Sequence, residues 1–375
     1  MSSDTNIDID SILSPISEDA TTGADVREDP SPTSLYQTIK TERNQARAAE
    51  RRSVHDGESS EATSHWRKIT ELAPQILSSQ SKDLEVASWY AEAMLRRFGF
   101  SGLRDAFKII DGLVDNFWEA LHPMPDEYGM ETRVSCLSGL NGEGAEGVLI
   151  APIRKVALTE SDDMPGPFSL WQYKQAVDAQ KSPDEQTRNA KVQSLGFSVD
   201  DIQKEVSASS DVFITNLRDD INETLELYRS IGKKLDELCG IDDAPPTSTI
   251  TNVLEETLGV VKHLGKDKLL TQEDNAPEAN DTDTALDTDG PTTAVVPSKP
   301  KGPVESREDA FKQLLEISEF FRKTEPHSPV SYLLQKTVKW GRMSLVDLIG
   351  ELIPDAGARS KYSELTGVSP EDQQS

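Results

Sequence analysis

Cysteine is almost absent from this chain: Cys136 and Cys239 are the only two in 375 residues. Two thiols so far apart cannot build a disulfide framework or a zinc site alone, and their scarcity fits a reducing compartment. Positive charge is also short. Lys and Arg total 39 against 66 Asp and Glu, a formal net charge of −27. A field of that sign repels phosphate, which argues against general nucleic-acid binding and against anchoring to anionic lipid. No apolar run approaches the roughly 20 residues that cross a bilayer, so no direct membrane insertion is expected. The first residues, MSSDTNIDID, lack the basic and apolar regions of a signal peptide, and a cytoplasmic location is expected. Hydrophobic residues make up only 35% of the chain, which predicts a non-globular segment among two or three folded domains.

That segment is TQEDNAPEANDTDTALDTDGPTTAVVPSKPKGP, residues 271–303, with no aromatic residue and no basic residue before Lys299. It has too little apolar surface to offset its ordering entropy and reads as a flexible, self-repelling acidic linker. Residues 304–375 then form a small C-terminal module, near the lower size limit for independent folding and suited to assembly.

The remaining pattern is helical. After Asp83, apolar residues fall at Leu84, Ala87, Ala91, Met94 or Leu95, and Phe98, a 3.6-residue period. Gly99 is a stop and Ser101 an N-cap for a second helix carrying Leu103, Phe107, Ile110, Leu113 or Val114, and Phe117. The short connection predicts an antiparallel hairpin. An earlier stretch with Trp66, Ile69, Ala73 and Ile76 contains Pro74, which is expected to kink or split it. Residues 123–167 read as loops, with one short element around VLIAPIRKVAL. Ile214, Leu217, Ile221, Leu225, Tyr228, Ile231, Leu235 and Leu238 give a near-heptad stripe, and Ile250, Leu254, Leu258, Val261 and Leu264 a second. The pair reads as a helical hairpin, closed on itself or shared between subunits. In the C-terminal module, Ser328–Pro329 reads as a helix start and Ser344-Leu345-Val346-Asp347 as a capping box. The expectation is an all-α chain: an N-terminal helical-hairpin domain (1–180), a middle helical hairpin (181–270), the linker (271–303) and the module (304–375).

Catalytic and ligand motifs are weak. GEGAEG at 142–147 matches the dinucleotide fingerprint, but no convincing strand precedes it, and Glu143 and Glu146 would face the pyrophosphate. Ser79-Gln80-Ser81-Lys82 has serine-acylase spacing without its companion motifs and reads as a helix terminus. The five histidines are scattered without metal-ligand spacing. Within LVDNFWEALHPMPDE (113–127), Glu119 and His122 are three apart and could pair on one helix face. A histidine meeting the last carbonyls of a helix that Pro123 ends is the simpler reading. No enzyme, cofactor or metal is expected.

One resemblance draws several of these stretches together. SKDLEVASWYAEAMLRRFGFSGLRDAFKIIDGLVDNFWEALHP resembles the helical-hairpin core of the ImpA-type N-terminal domain of TssA proteins of type VI secretion systems. SPISEDATTGADVREDP (14–30), HWRKITELAPQIL (65–77) and PFSLWQYKQA (167–176) agree with it in order, covering about residues 10–180. The family's Pro-x-Gly near position 23 is Thr-Thr-Gly here. Residues 307–353, with EPHSPVSYLL and then Trp340, look like the C-terminal module of shorter TssA proteins. The larger assembly domain of the long variants is not seen.

The resemblance implies a non-enzymatic assembly factor. It would form a ring-shaped homo-oligomer through its C-terminal part and prime or coordinate baseplate and tail assembly. Implied partners are the baseplate proteins, the tube protein, the sheath proteins and, in some systems, the membrane complex. The implied location is the bacterial cytoplasm, on the apparatus at the inner face of the inner membrane. A cytosolic helical adaptor or chaperone for a secreted cargo, without a ring, is the alternative. Tyr332, Leu333, Trp340 and Met343 are candidate self-association contacts, because so small a module cannot easily bury every large apolar group. Trp89 and Tyr90 lie beside the main stripe of their helix and are candidate partner contacts.

Overall fold

A computed structural model describes residues 2–5, 7–56, 60–127, 129–161, 165–240, 243–273, 307–324, 330–343, 348 and 351. Among these, the regular elements are all helical, with isolated β-bridges and no extended strand. The chain divides into two compact units, Met1–Asn280 and Asp281–Ser375. The first holds α1 (Ile9–Leu13), α2 (Leu35–Asp56), α3 (Ser60–Ser79), α4 (Leu84–Phe117), α5 (Met130–Asn141) and α6 (Ile150–Lys155). It continues with α7 (Leu170–Gln180), α8 (Glu185–Leu195), α9 (Val199–Ala208), α10 (Asp211–Cys239), α11 (Ser248–Leu264) and α12 (Lys266–Glu273). The second unit holds α13 (Arg307–Thr324) and α14 (Val330–Arg342). Residues 274–303, Ser328–Pro329 and the Ser344–Asp347 box lie outside the described residues.

α4 is two helices in one name. A straight helix of 34 residues would hold its ends about 50 Å apart. Instead the Leu84 N–H donates to the His122 carbonyl at 2.8 Å, and the His122 N–H to the Lys82 carbonyl at 3.0 Å. The reversal sits at Gly99, whose φ of 62° and ψ of −140° a side chain would oppose. This is the antiparallel hairpin expected at that glycine. Ser101 is no N-cap, however: its hydroxyl donates to the Phe98 carbonyl at 2.9 Å, inside the turn. Asp83 caps the first arm, accepting from the Val86 N–H at 3.0 Å while Arg27 pairs with its other oxygen.

Two expectations are corrected. Pro74 does not split its helix, because α3 runs through it. The bond lost and ring clash at a mid-helix proline cost about 3 kcal/mol. Trp66, Ile69, Ala73, Ile76 and Leu77 are all buried on that helix, and each large apolar side chain contributes about 1.5–3 kcal/mol by its burial. Burial wins. The supposed loops of 123–167 contain α5, which buries Val134, Leu137 and Leu140 together with the polar Arg133 and Asn141. Arg133 is held inside by donating to the Trp118 carbonyl at 2.9 Å and the Pro123 carbonyl at 3.1 Å.

α10 and α11 pack on each other within the chain, and α10 also lies along the second arm of α4. Arg104 bonds Asp220 at 2.5 Å, Lys108 bonds Glu223 at 2.6 Å, and Lys234 bonds Asp111 and Asp115 at 2.7 and 2.6 Å. Residue numbers rise together along both helices, so this arm and α10 run parallel. Phe107 stacks on Tyr228 between the ion pairs, with ring centroids 5.0 Å apart. One apolar core therefore contains residues from Ile12 through Val261, and residues 181–270 share the compact unit of residues 1–180.

Candidate functional site

Glu119 and His122 do not form the pair their spacing allows. α4 ends at Phe117, Trp118–Ala120 form a 3-10 turn, and Leu121 is extended. His122 is thereby turned toward Asp25, its Nδ1 lying 4.0 Å from the carboxylate, while Glu119 is exposed. Ser79 and Lys82 part in the same way. Ser79 ends α3 with its hydroxyl donating to the Gln75 carbonyl at 2.6 Å. Lys82 is fully buried and its Nζ donates to the Ile12 and Leu77 carbonyls at 2.6 and 2.7 Å. These carbonyls belong to the last turns of α1 and α3, where helices leave acceptors unpaired and the dipole favours a cation. Burial alone pulls the Lys82 ammonium down to about 8. The GEGAEG segment links α5 to α6 with no strand before it, and Glu146 pairs with Arg154 at 2.6 Å.

The aromatic candidates of the N-terminal unit are core residues. Trp89 is 4% exposed and Tyr90 1%. Trp89 stacks on Tyr36 with centroids 5.5 Å apart, and the Arg43 guanidinium lies 5.5 Å from its ring. The first arm of α4 is the centre of the unit and is covered on nearly every side, so lying beside the main stripe does not mean reaching solvent. Neither residue is available to a partner.

The C-terminal candidates stand differently. α13 and α14 pack together around Val338, with the buried Ser318 hydroxyl donating to the Ser331 carbonyl at 2.8 Å. Phe311 fits against Gly341, and the Arg342 guanidinium lies 5.7 Å from its ring. Tyr332 and Leu333 remain 63% and 58% exposed. Trp340 and Met343 are half-buried, Trp340 lying under the Lys336 ammonium at 4.8 Å. Ile317 and Phe320, which the sequence reading did not single out, are also exposed, as is Val330, which the sequence pattern puts on the apolar face of its helix. Ile317 with Phe320, and Val330 with Leu333, have the i, i+3 spacing that puts two side chains on one helix face. Two described helices thus carry five large apolar groups in contact with water, a surface suited to another protein. Glu325, His327 and Ser328 lie outside the described residues.

Comparison with known proteins places this architecture. The family model described as ImpA, N-terminal, type VI secretion system matches residues 13–142, from α1 through α5. The type VI secretion system component TssA1 of Pseudomonas aeruginosa is 23% identical over 311 residues, covering 82% of this chain and 85% of that protein. In fold, the chain is similar to the N-terminal domain, with its ImpA_N region, of the TssA component from Burkholderia cenocepacia. The TM-score is 0.56 at 21% identity, over 72% of this chain and 98% of that one. Residues 13–142 thus carry the ImpA N-terminal region of type VI secretion systems, and the chain is similar to the type VI secretion system component TssA1 along most of its length.

Proposed function

We propose that this chain is a TssA-type, non-enzymatic scaffold that forms a ring-shaped homo-oligomer through its C-terminal module. In this reading the N-terminal unit meets the baseplate, tube and sheath proteins and primes or coordinates their assembly. The acidic stretch that follows α12, residues 274–303, would act as the linker between the two, three residues later than its composition suggested. The observation that carries the reading is the exposed apolar surface of α13 and α14, at Ile317, Phe320, Val330, Tyr332 and Leu333. Leaving so much apolar surface in water is unfavourable by about 25 cal/mol per Å², and self-association removes that cost. A ring would also multiply weak contacts to a repeated tail, since linked domains meet it at high effective concentration. No helix among the described residues is long and apolar enough to cross a membrane, consistent with action on the cytoplasmic side of the apparatus.

Absolute mass by light scattering, with negative-stain images, tests this on the full chain and on the Tyr332→Glu/Leu333→Glu double variant. The expected result is a closed multimer for the full chain and much smaller species for the variant, with helical content by circular dichroism unchanged. A full chain that is monomeric alone and with its tail partners would overturn the ring and favour a stoichiometric adaptor.

A further inference from the structure

Where α4 turns at Gly99, an open cleft of ≈ 1190 Å³ lies between α2, α3, α6 and the start of α10. It exceeds the roughly 300–1,000 Å³ of small-molecule pockets. Its apolar lining includes Phe98, Val148, Pro152, Val156 and Phe213, none of them fully buried. Phe98 is 37% exposed, a large aromatic group held at the mouth by the glycine turn beside it.

Charge in this cleft runs opposite to the chain as a whole. Three acids line it, and each is bonded to a cation. Glu50 pairs with Arg96 at 2.6 Å, Glu146 with Arg154 at 2.6 Å, and Asp220 with Arg104 at 2.5 Å. Four other cations line it with no ion-pair partner among the described residues: Arg47, Arg51, Arg97 and Lys155. Arg97 donates to the Thr70 hydroxyl at 2.6 Å and lies over the Phe98 ring, so its charge is positioned without being neutralised. Burial, together with the neighbouring Arg43, Arg96 and Arg51 and against the pull of Glu92, holds Arg47 below its ordinary basicity. Uncompensated positive charge crowds one apolar groove of a protein whose net charge is −27.

We propose that this cleft is a docking groove for an acidic peptide segment of a partner protein, anchored by one or two apolar side chains over Phe98 and Phe213. The inference deepens the reading that the N-terminal unit meets partner proteins, and it rests on that reading. A nucleic acid is disfavoured because its long run of phosphates extends past the four cations into the acidic surroundings. A short peptide confines its carboxylates to the rim and gains from the apolar floor as well. Rim charges then set the encounter rate and its salt dependence, and the aromatic floor sets the residence time.

Fluorescence anisotropy on the full-length protein tests the groove. The probe is a labelled 15-residue peptide alternating Asp and Glu with two Phe, compared with its Lys-substituted counterpart and a single-stranded 15-mer oligonucleotide. Saturable binding of the acidic peptide is expected. Arg51→Glu/Lys155→Glu, both at exposed positions, should weaken it about tenfold or more. Lys233→Glu/Lys262→Glu, also exposed and matched in charge, should leave it unchanged. Phe98→Ser should weaken binding without altering its salt dependence. No binding of the acidic probe, equal loss in the control pair, or oligonucleotide binding as tight as the peptide's would overturn the proposal. Mass by light scattering separates the two readings. Loss of peptide binding with the multimer intact supports the groove even if the ring is disproved, whereas dissociation of the multimer by Arg51→Glu/Lys155→Glu would make this face a contact between copies.

Discussion

Lys82 shows how a motif-bearing residue can have purely architectural chemistry. Its position after Ser79 matches an acylase pattern, yet its ammonium joins the carbonyl ends of α1 and α3 in the core. Its folded-state value of about 8 lies below the ordinary 10.5. Between those limits the unfolded chain binds more protons than the folded one, so stability rises with pH through that window and is flat below it. Urea unfolding from pH 7 to 10.5 should show this gain, of order 1–3 kcal/mol, in the parent and not in Lys82→Met. Identical pH dependence in both proteins would remove the buried-cation account. The helix-terminus reading of Ser79–Lys82 was legible from missing companion motifs, but the burial of Lys82 was not. A lysine's solvation depends on segments distant in sequence, here Ile12. Trp89 and Tyr90 misled for a related reason: periodicity reports one face of a helix, and the first arm of α4 is enclosed on nearly all of them.

Elements with strong periodic faces were readable. α10 and α11 appear where their stripes end, and the Gly99 reversal follows from a single glycine. α5 was obscured because Arg133 and Asn141 occupy its inner face, and nothing local shows that the Trp118 carbonyl and the Ile250 N–H will satisfy them. α3 persists through Pro74 because tertiary burial exceeds a local penalty. The ion pairs between α4 and α10 are a register device. Cations on α4 at Arg104 and Lys108 meet acids, and acids at Asp111 and Asp115 meet Lys234, so a one-turn slip would separate these pairs. Only Arg104–Asp220 is buried among them, and in such a pair the desolvation cost offsets much of the attraction while loss of one partner is costly. Asp220→Ala, which leaves the buried Arg104 with Asp105, the Ser3 carbonyl and, at 3.8 Å, Glu223, should cost about 3–5 kcal/mol in chemical denaturation. A loss below about 1 kcal/mol would show that solvent reaches the Arg104 site.

For the whole molecule, the N-terminal unit has a large core from Ile12 to Val261 and a smaller one around Phe168 and Phe197, while the described part of the second unit leaves large apolar groups in water. A chain ending at residue 280 should therefore unfold cooperatively with the thermal midpoint of the full protein's first transition, and should be monomeric by light scattering. A shift of more than about 4 °C, equivalent to roughly 1–2 kcal/mol for a unit this size, would mean that the C-terminal residues help stabilise the first unit. The proposed assembly would rest on which apolar residues of α13 and α14 lack cover, and module size pointed to self-association without showing that Ile317 and Phe320 belong to that surface.

The parallel seating of α10 on the second arm of α4 also has a temporal side. Arg104 and Asp220 are 116 residues apart in the chain. At a synthesis rate of about 5–20 residues per second, Asp220 emerges roughly 6–23 s after Arg104. Through that interval the groove of α4 that holds Phe107 and Ile110 lacks its lid, although the helices that cover the first arm have already been made. Until α10 is made, the apolar face of α4 that Phe107 presents to Tyr228 has no cover, so the order of synthesis alone leaves that surface exposed for seconds.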